Sequence, residues 1–499
     1  MPSPSDPPGP RPPSGASQRI WDLAFTETHR HRPAHLVAPR FVADEHEHLG
    51  RTEEVIRSSR SPEAPFAAVH VEMPGGATRG AEVVAGLVSS GGDHLLATYH
   101  PGRHRAALEV RTGGRTITLA RSRLRLAPGA TLGFALCENQ ATLLVRDPGG
   151  PGGPGRRASS WRPVLTQRDG LAALLDLRVP ATLARFGYAW GVRGGGATLG
   201  AVRAGLFGMT GVRDLHVVQD ADGQPLRQDG ALLLTATCAG LGFFPQAHWG
   251  VFTLDLDAPH RFEQVAQLFA HRDGLVLGDH AGQLVRDGDH WLVATSAWGD
   301  FVPVRRRRRG RRAPDAAGHA AGTVHVRHLT TTADLLTGVH LLATERTDLP
   351  TVVGSWDPGL TRVDGRWYLG FVESPTQAPY EFHPALASTD AASPWEGLVA
   401  VGAAEELRRC EGPVLVRVGA DTWLLASDGH ARRYPVFDLA MVRRGELAAA
   451  YPSNIPHPQL VARGDGSWAM VTFDGTASSS RLLGYGGHGN LVVLSSPAP

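Results

Sequence analysis

From Asp214 onward the chain repeats one pattern: a short apolar run, a polar Gly or Asp-Gly turn, and a second apolar run with aromatic or β-branched character. The copies are DLHVVQDADG with GALLLTAT from Asp214, GQLVRDGDHWLVATS from Gly282, PGLTRVDGRWYLGFVES from Pro358, GPVLVRVGADTWLLASD from Gly412 and PQLVARGDGSWAMVTFD from Pro458. Each predicts a β-hairpin, because the turn residues tolerate the positive φ of a tight reversal while the flanks favour strands. The copies start roughly 45 to 75 residues apart, about the length of a four-stranded blade. Five copies predict a five-bladed β-propeller over residues 200–499, with side chains near the repeat starts converging on its axis.

Residues 19–195 carry a different rhythm. AEVVAGLVSS, DHLLATYHPG, RAALEVRTGG, RTITLARSRL, TLGFALCENQ and ATLLVRDPGG follow one another, each closed by Gly, Pro or a polar turn. Strands at about ten-residue spacing predict a β-sandwich, and these phrases resemble a concanavalin-like or laminin-G-like jelly roll. The fold class expected is therefore all-β, a sandwich followed by a propeller. Residues 1–18 and 147–160 are too rich in Pro, Gly and Ser to pack and are expected to be disordered or loop. GVRGGGATLG, ending at Gly200, reads as the linker between the domains.

Composition narrows the partners. With 50 basic against 48 acidic residues the formal charge is only +2, so nothing global favours nucleic acid or membrane. The run Arg305–Arg312 has no aromatic residue between its arginines, as a single-strand binding groove would, and is expected to be a solvated loop. Every other basic residue is also Arg, and the absence of Lys removes Schiff-base chemistry. Cys137, Cys238 and Cys410 are too few and too scattered for a disulfide framework or a metal knuckle. No apolar leader or membrane-length run is present, which makes a cytoplasmic location the default expectation.

Three repeat starts bear carboxylates: Asp214 in RDLHV, Asp357 in WDP and Glu411 in CEGP. Breaking a glycosidic bond needs one protonated carboxyl beside the leaving oxygen and one ionised carboxylate acting as base or nucleophile, and a third acid nearby raises the donor's pKa. The order Asp, Asp, Glu over five blades, with Glu-Gly-Pro around the last, resembles glycoside hydrolase family 43 and the related β-fructosidase families 32 and 68. The resemblance implies Asp214 as base or nucleophile, Asp357 as the residue that orients and tunes the acid, and Glu411 as proton donor. It implies a furanoside or pentoside substrate and an inverting outcome. It requires no cofactor and leaves room for an axial structural calcium ion. Leu215 departs from the Pro usual in those families, and the sandwich precedes the propeller instead of following it.

Around these acids, His457 starts blade five, where the resemblance places a histidine beside an axial ion or water. His216 lies two residues beyond Asp214 on the same strand face, and Asp279 and His280 start blade two as sugar-hydroxyl ligands or alternative acid-base groups. Trp249, Trp298 and Trp356 lie at repeat boundaries, where an exposed indole stacks on a sugar ring. Two other functions fit the same pattern: a non-hydrolytic dehydration or cyclisation of a small molecule, and a non-catalytic carbohydrate-binding protein.

Overall fold

The apolar runs flanking each predicted turn pair as antiparallel strands, and five such sheets stand around one axis. The computed structural model describes residues 19–75, 77–78, 80–148, 161–301, 323–351, 354–377, 380–476 and 489–498. The tail 1–18, residues 149–160 and the run Arg305–Arg312 lie outside them.

Blade I runs outward through Val212–Val217, Ala231–Cys238, His248–Leu254 and Phe262–Arg272. Blade II uses His280–Asp287, His290–Ser296, Val326–Thr331 and Glu345–Arg346, and blade III Gly354–Val363, Arg366–Gln377, Tyr380–Thr389 and Val399–Ala403. Blade IV comprises Cys410–Val418, Asp421–Asp428, Pro435–Phe437 and Arg443–Glu446. Blade V contributes Gln459–Ala462, Trp468–Asp474 and Asn490–Ser496 from the end of the chain. Its fourth strand, Ala24–His31, comes from the beginning, with Thr26 opposite Ser495 and His31 opposite Leu491. The domain division expected from sequence is corrected here, since residues 24–31 fall within the span assigned to the sandwich. Pairing the two chain ends in one sheet covers an edge that would otherwise present unpaired N–H and C=O groups.

The inner strands stand side by side in a closed ring. Side chains tie neighbouring blades together: Gln459 Oε1 accepts the Val217 N–H at 2.9 Å, and Gln283 Oε1 accepts that of Leu360 at 2.7 Å.

Between Ala24–His31 and blade I, residues from His35 to Met209 form two six-stranded sheets, one centred on Ala130–Cys137 and Phe66–Met73, the other on Glu82–Ser89 and His94–His100. They share a core in which Val69, Leu132 and Phe134 pack with Leu95, Leu108 and Tyr188. GVRGGGATLG is not a linker. It joins the strands Phe186–Arg193 and Ala197–Leu199, and Val202–Met209 still belongs to the first sheet. The chain crosses to the propeller at Thr210–Gly211. That crossing is buttressed by Phe66 and Phe207 packing on Phe269 and Val276 of blade I, and by Gln140 Nε2 donating to the Leu241 carbonyl. The three cysteines are free and buried, and no described helix is long and apolar enough to cross a membrane.

Candidate active site

In blades I to IV the inner strand breaks register at the same place: between Arg213 and His216, His280 and Gln283, Trp356 and Gly359, Glu411 and Val414. Each break is a β-bulge, a device that re-aims side chains. Each contains one left-handed residue, namely Asp214 at φ 48°, Ala281 at 53°, Asp357 at 50° and Gly412 at 67°. Asp accepts this conformation better than most residues because its short polar side chain bonds locally. Hydroxyl groups hold the strained bulges: Thr237 Oγ1 accepts the Ala281 N–H at 3.0 Å, and Ser296 Oγ accepts the Asp357 N–H at 2.9 Å. Asp214 and Asp357 therefore occupy equivalent positions. Glu411 stands one residue earlier, in register with Arg213, His280 and Trp356.

The bulges bring the three acids to one cavity of about 420 Å³. His457 lies between two of them, its Nε2 3.5 Å from Asp357 Oδ2 and 3.9 Å from Asp214 Oδ1. His280 Nδ1 is 3.9 Å from the other Asp214 oxygen, and Arg213 Nε is 3.9 Å from Oδ1. Blades III and IV are cross-linked through consecutive pairs of residues: Trp356 Nε1 donates to Glu411 Oε2 at 3.2 Å, and the Gly412 N–H donates to the Asp357 carboxyl.

Burial, with the charge of Asp214 adding, pushes Glu411 up to about 7. Asp357 is held well above the usual carboxylate range by burial and by the charges of Glu411 and Asp214. With both carboxyls raised, the Glu411–Asp357 pair retains a proton near neutral pH and titrates as a unit. Burial pushes His216 and His457 down to about 3 and His280 to about 4, leaving neutral imidazoles that hold position without adding positive charge.

Trp298 and Trp356 line the cavity. Trp249 does not. It is buried between blades I and II, against the face left open by Gly282, where a β-carbon would lie 2.8 Å from the indole. Asp279 is also structural, fully buried in an ion pair with Arg272, whose Nη2 reaches Asp279 Oδ1 at 3.0 Å, and bonded to the Gly299 N–H. His216 lies beneath His457, ring centroids 6.2 Å apart, outside the cavity lining. His280 stands behind Asp214 and stacks on Trp298 at 5.9 Å.

Seven lining residues are not picked out by the sequence pattern: Arg213, Phe244, Tyr380, Phe382, Arg409, Asn454 and Ile455. Arg213 and Arg409 adjoin the acids in sequence, which was a usable signal. Phe244, Tyr380 and Phe382 lie in or beside connections between second and third strands, which open on the face where inner strands begin.

The axis beneath His457 narrows to a space of about 20 Å³ lined by His216, Gln219, Gln283 and Gln459. Calcium takes six to eight oxygen ligands. Here the Gln283 and Gln459 oxygens already accept backbone N–H groups, and the remaining groups without partners are the His216 nitrogens, His457 Nδ1 and Gln459 Nε2. Among the described residues no group of three or more His, Cys, Asp or Glu could hold a metal ion. These residues do not fit a calcium ion.

No protein-family model and no curated protein matches the chain. Several solved structures are similar in fold. A GH43_1 enzyme from Xanthomonas citri is 17% identical with a TM-score of 0.36, the match covering 56% of this chain and 88% of that one. An α-L-arabinanase from Penicillium chrysogenum is 9% identical with a TM-score of 0.35, covering 90% and 98%. A sucrose-6-phosphate hydrolase from Lactobacillus gasseri is 12% identical with a TM-score of 0.38, covering 59% of each.

Proposed function

We propose that the protein is a glycoside hydrolase acting by general acid-base catalysis on a furanoside or pentoside. The observation that carries this reading is the convergence of three carboxyls, from three blades, on one cavity in which Glu411 holds its proton up to about pH 7. Glu411 protonates the departing oxygen as the bond from that oxygen to the anomeric carbon breaks, the bonding pair leaving with the oxygen. Asp214 takes a proton from the water whose oxygen bonds to the anomeric carbon, and the products are the free sugar and an alcohol. Asp357, held by the Gly412 N–H, fixes the backbone beside Glu411 and helps keep a proton in the pair. The identity of the first-formed anomer separates this inverting course from one in which Asp214 attacks carbon directly.

The test is a panel of nitrophenyl glycosides with wild type and Glu411→Gln. For a poor leaving group the substitution should cost about 10²-fold or more in rate; an unchanged rate refutes the assigned donor. A second reading, a non-hydrolytic acid-base reaction, is favoured by the apolar wall of Phe244, Trp298, Trp356, Phe382 and Ile455. Oxygen from labelled water entering the released sugar distinguishes hydrolysis from that reaction.

A further inference from the structure

We infer that the leaving-group side of this cavity takes a planar apolar aglycone, of the aryl alcohol class, and not a second sugar; the inference rests on the glycosidase reading above. A proton donor must touch the leaving oxygen, so whatever surrounds Glu411 surrounds the aglycone. Those surroundings are aromatic. Trp356 bonds Glu411 Oε2 through its indole N–H. Tyr380 stacks on Trp356 with centroids 6.0 Å apart and planes 19° from parallel. Phe382 closes the corner at 5.5 Å from Trp356 and 5.3 Å from Tyr380.

A sugar also stacks on aromatic rings, but through one apolar face only. Its hydroxyls point sideways and need partners, each buried group left unpaired costing about 1–3 kcal/mol. This wall is continued by Phe382 and Ile455, both cavity-lining members of the same apolar cluster as Trp356, which offer hydroxyls no partner. Apart from the acids and Arg213, the polar side chains lining the cavity among the described residues are Arg409, Asn454 and the Tyr380 hydroxyl. Across the cavity Trp298 carries Phe244 stacked at 4.4 Å and 14°, continuing the apolar surface. Tyr380 is 51% exposed, so one edge of this surface opens to solvent, where a flat ring can lie against it.

The probe is 2-naphthol, followed by quenching of tryptophan fluorescence and by inhibition of glycoside cleavage. Wild type should bind it, Tyr380→Phe should keep that binding, and Tyr380→Ala should weaken it about tenfold, the size expected for losing one aromatic contact and its buried area. In cleavage, a 2-naphthyl glycoside should show a lower KM than the phenyl glycoside of the same sugar, a preference that Tyr380→Ala abolishes. Failure of 2-naphthol to bind wild type, or a lower KM for a disaccharide than for the naphthyl glycoside, overturns the inference. If 2-naphthol binds with this Tyr380 dependence but no glycoside of any sugar is cleaved, the aryl site stands and the hydrolase reading falls. Cleavage without naphthol binding has the reverse meaning.

Discussion

The α-carbon of Gly412 faces the ring of His457 so closely that a β-carbon there would lie 2.1 Å from the imidazole Cδ2. Gly412 also holds φ at 67°, donates its N–H to Asp357 and follows Glu411 directly. The glycine of the Glu-Gly-Pro phrase therefore makes room for the imidazole that spaces Asp214 from Asp357. Gly412→Ala should displace His457 and cost roughly 2–4 kcal/mol from overpacking and backbone strain. Thermal melting and kcat should both fall. A variant with unchanged melting and rate would show that the axis tolerates the methyl group and would remove this explanation of the motif.

The indole N–H of Trp356 favours the ionised form of Glu411, opposing the burial that raises it to about 7. With Glu411 as the acid, wild-type kcat/KM should decline as pH rises through about 7. Trp356→Phe keeps an aromatic ring but removes the donor, so the carboxyl should bind its proton more tightly. The alkaline limb should move up by roughly half to one pH unit, the equivalent of one hydrogen bond. A limb that stays in place or moves down contradicts the assignment of Glu411 as the acid.

The hairpins were legible because their signal is local: alternating apolar positions and a polar Gly turn lie within one stretch of about fifteen residues. Asp214 and Asp357 were legible for the same reason, since each lies at or next to the start of its repeat. The one-residue offset of Glu411 was not, because it depends on where bulges shift the pairing. Ala24–His31 was misplaced because its partner strand is at the opposite end of the chain, and closure of the ring leaves no trace in either segment alone. Asp279 resembled a site residue beside His280, yet Arg272, seven positions earlier, pairs with it in the interior. Trp249 sits at a boundary in sequence but turns its face to Gly282 of the next blade. Phe244 and Tyr380 required knowing which connections share a face with the repeat starts, a property of topology and not of composition.

Closure through Ala24–His31 has a measurable consequence. Removing residues through His31 exposes the full edge of Asn490–Ser496 and takes away Phe25, which is packed with Tyr434, Trp468 and Met470. Burial of one Phe alone is worth about 1.5–3 kcal/mol, so the truncated protein should melt many degrees lower. The uncovered edge should also promote association, measured by light scattering. A truncated protein that stays monomeric with unchanged melting would mean that the ring is held closed by its inner strands alone.

Glu138 provides a pH test at the junction between the two six-stranded sheets and the propeller. It sits at φ 56° in the turn after Ala130–Cys137, is 3% exposed, and lies 3.4 Å from Arg178 Nη1. Burial pushes its carboxyl up to about 8; Arg178 opposes this, and the charges of Asp300 and Asp176 reinforce it. A carboxyl whose folded pKa lies above its unfolded value binds more protons folded than unfolded between the two. Its contribution is therefore full below about 4.5 and lost progressively as pH rises towards about 8. Glu138→Gln cannot ionise and should melt close to wild type near pH 4.5, then above it by a margin that grows to on the order of a few kcal/mol near pH 8. Melting curves for both proteins across this interval decide the matter: a difference independent of pH would mean that Glu138 is already ionised in the folded protein, held by Arg178.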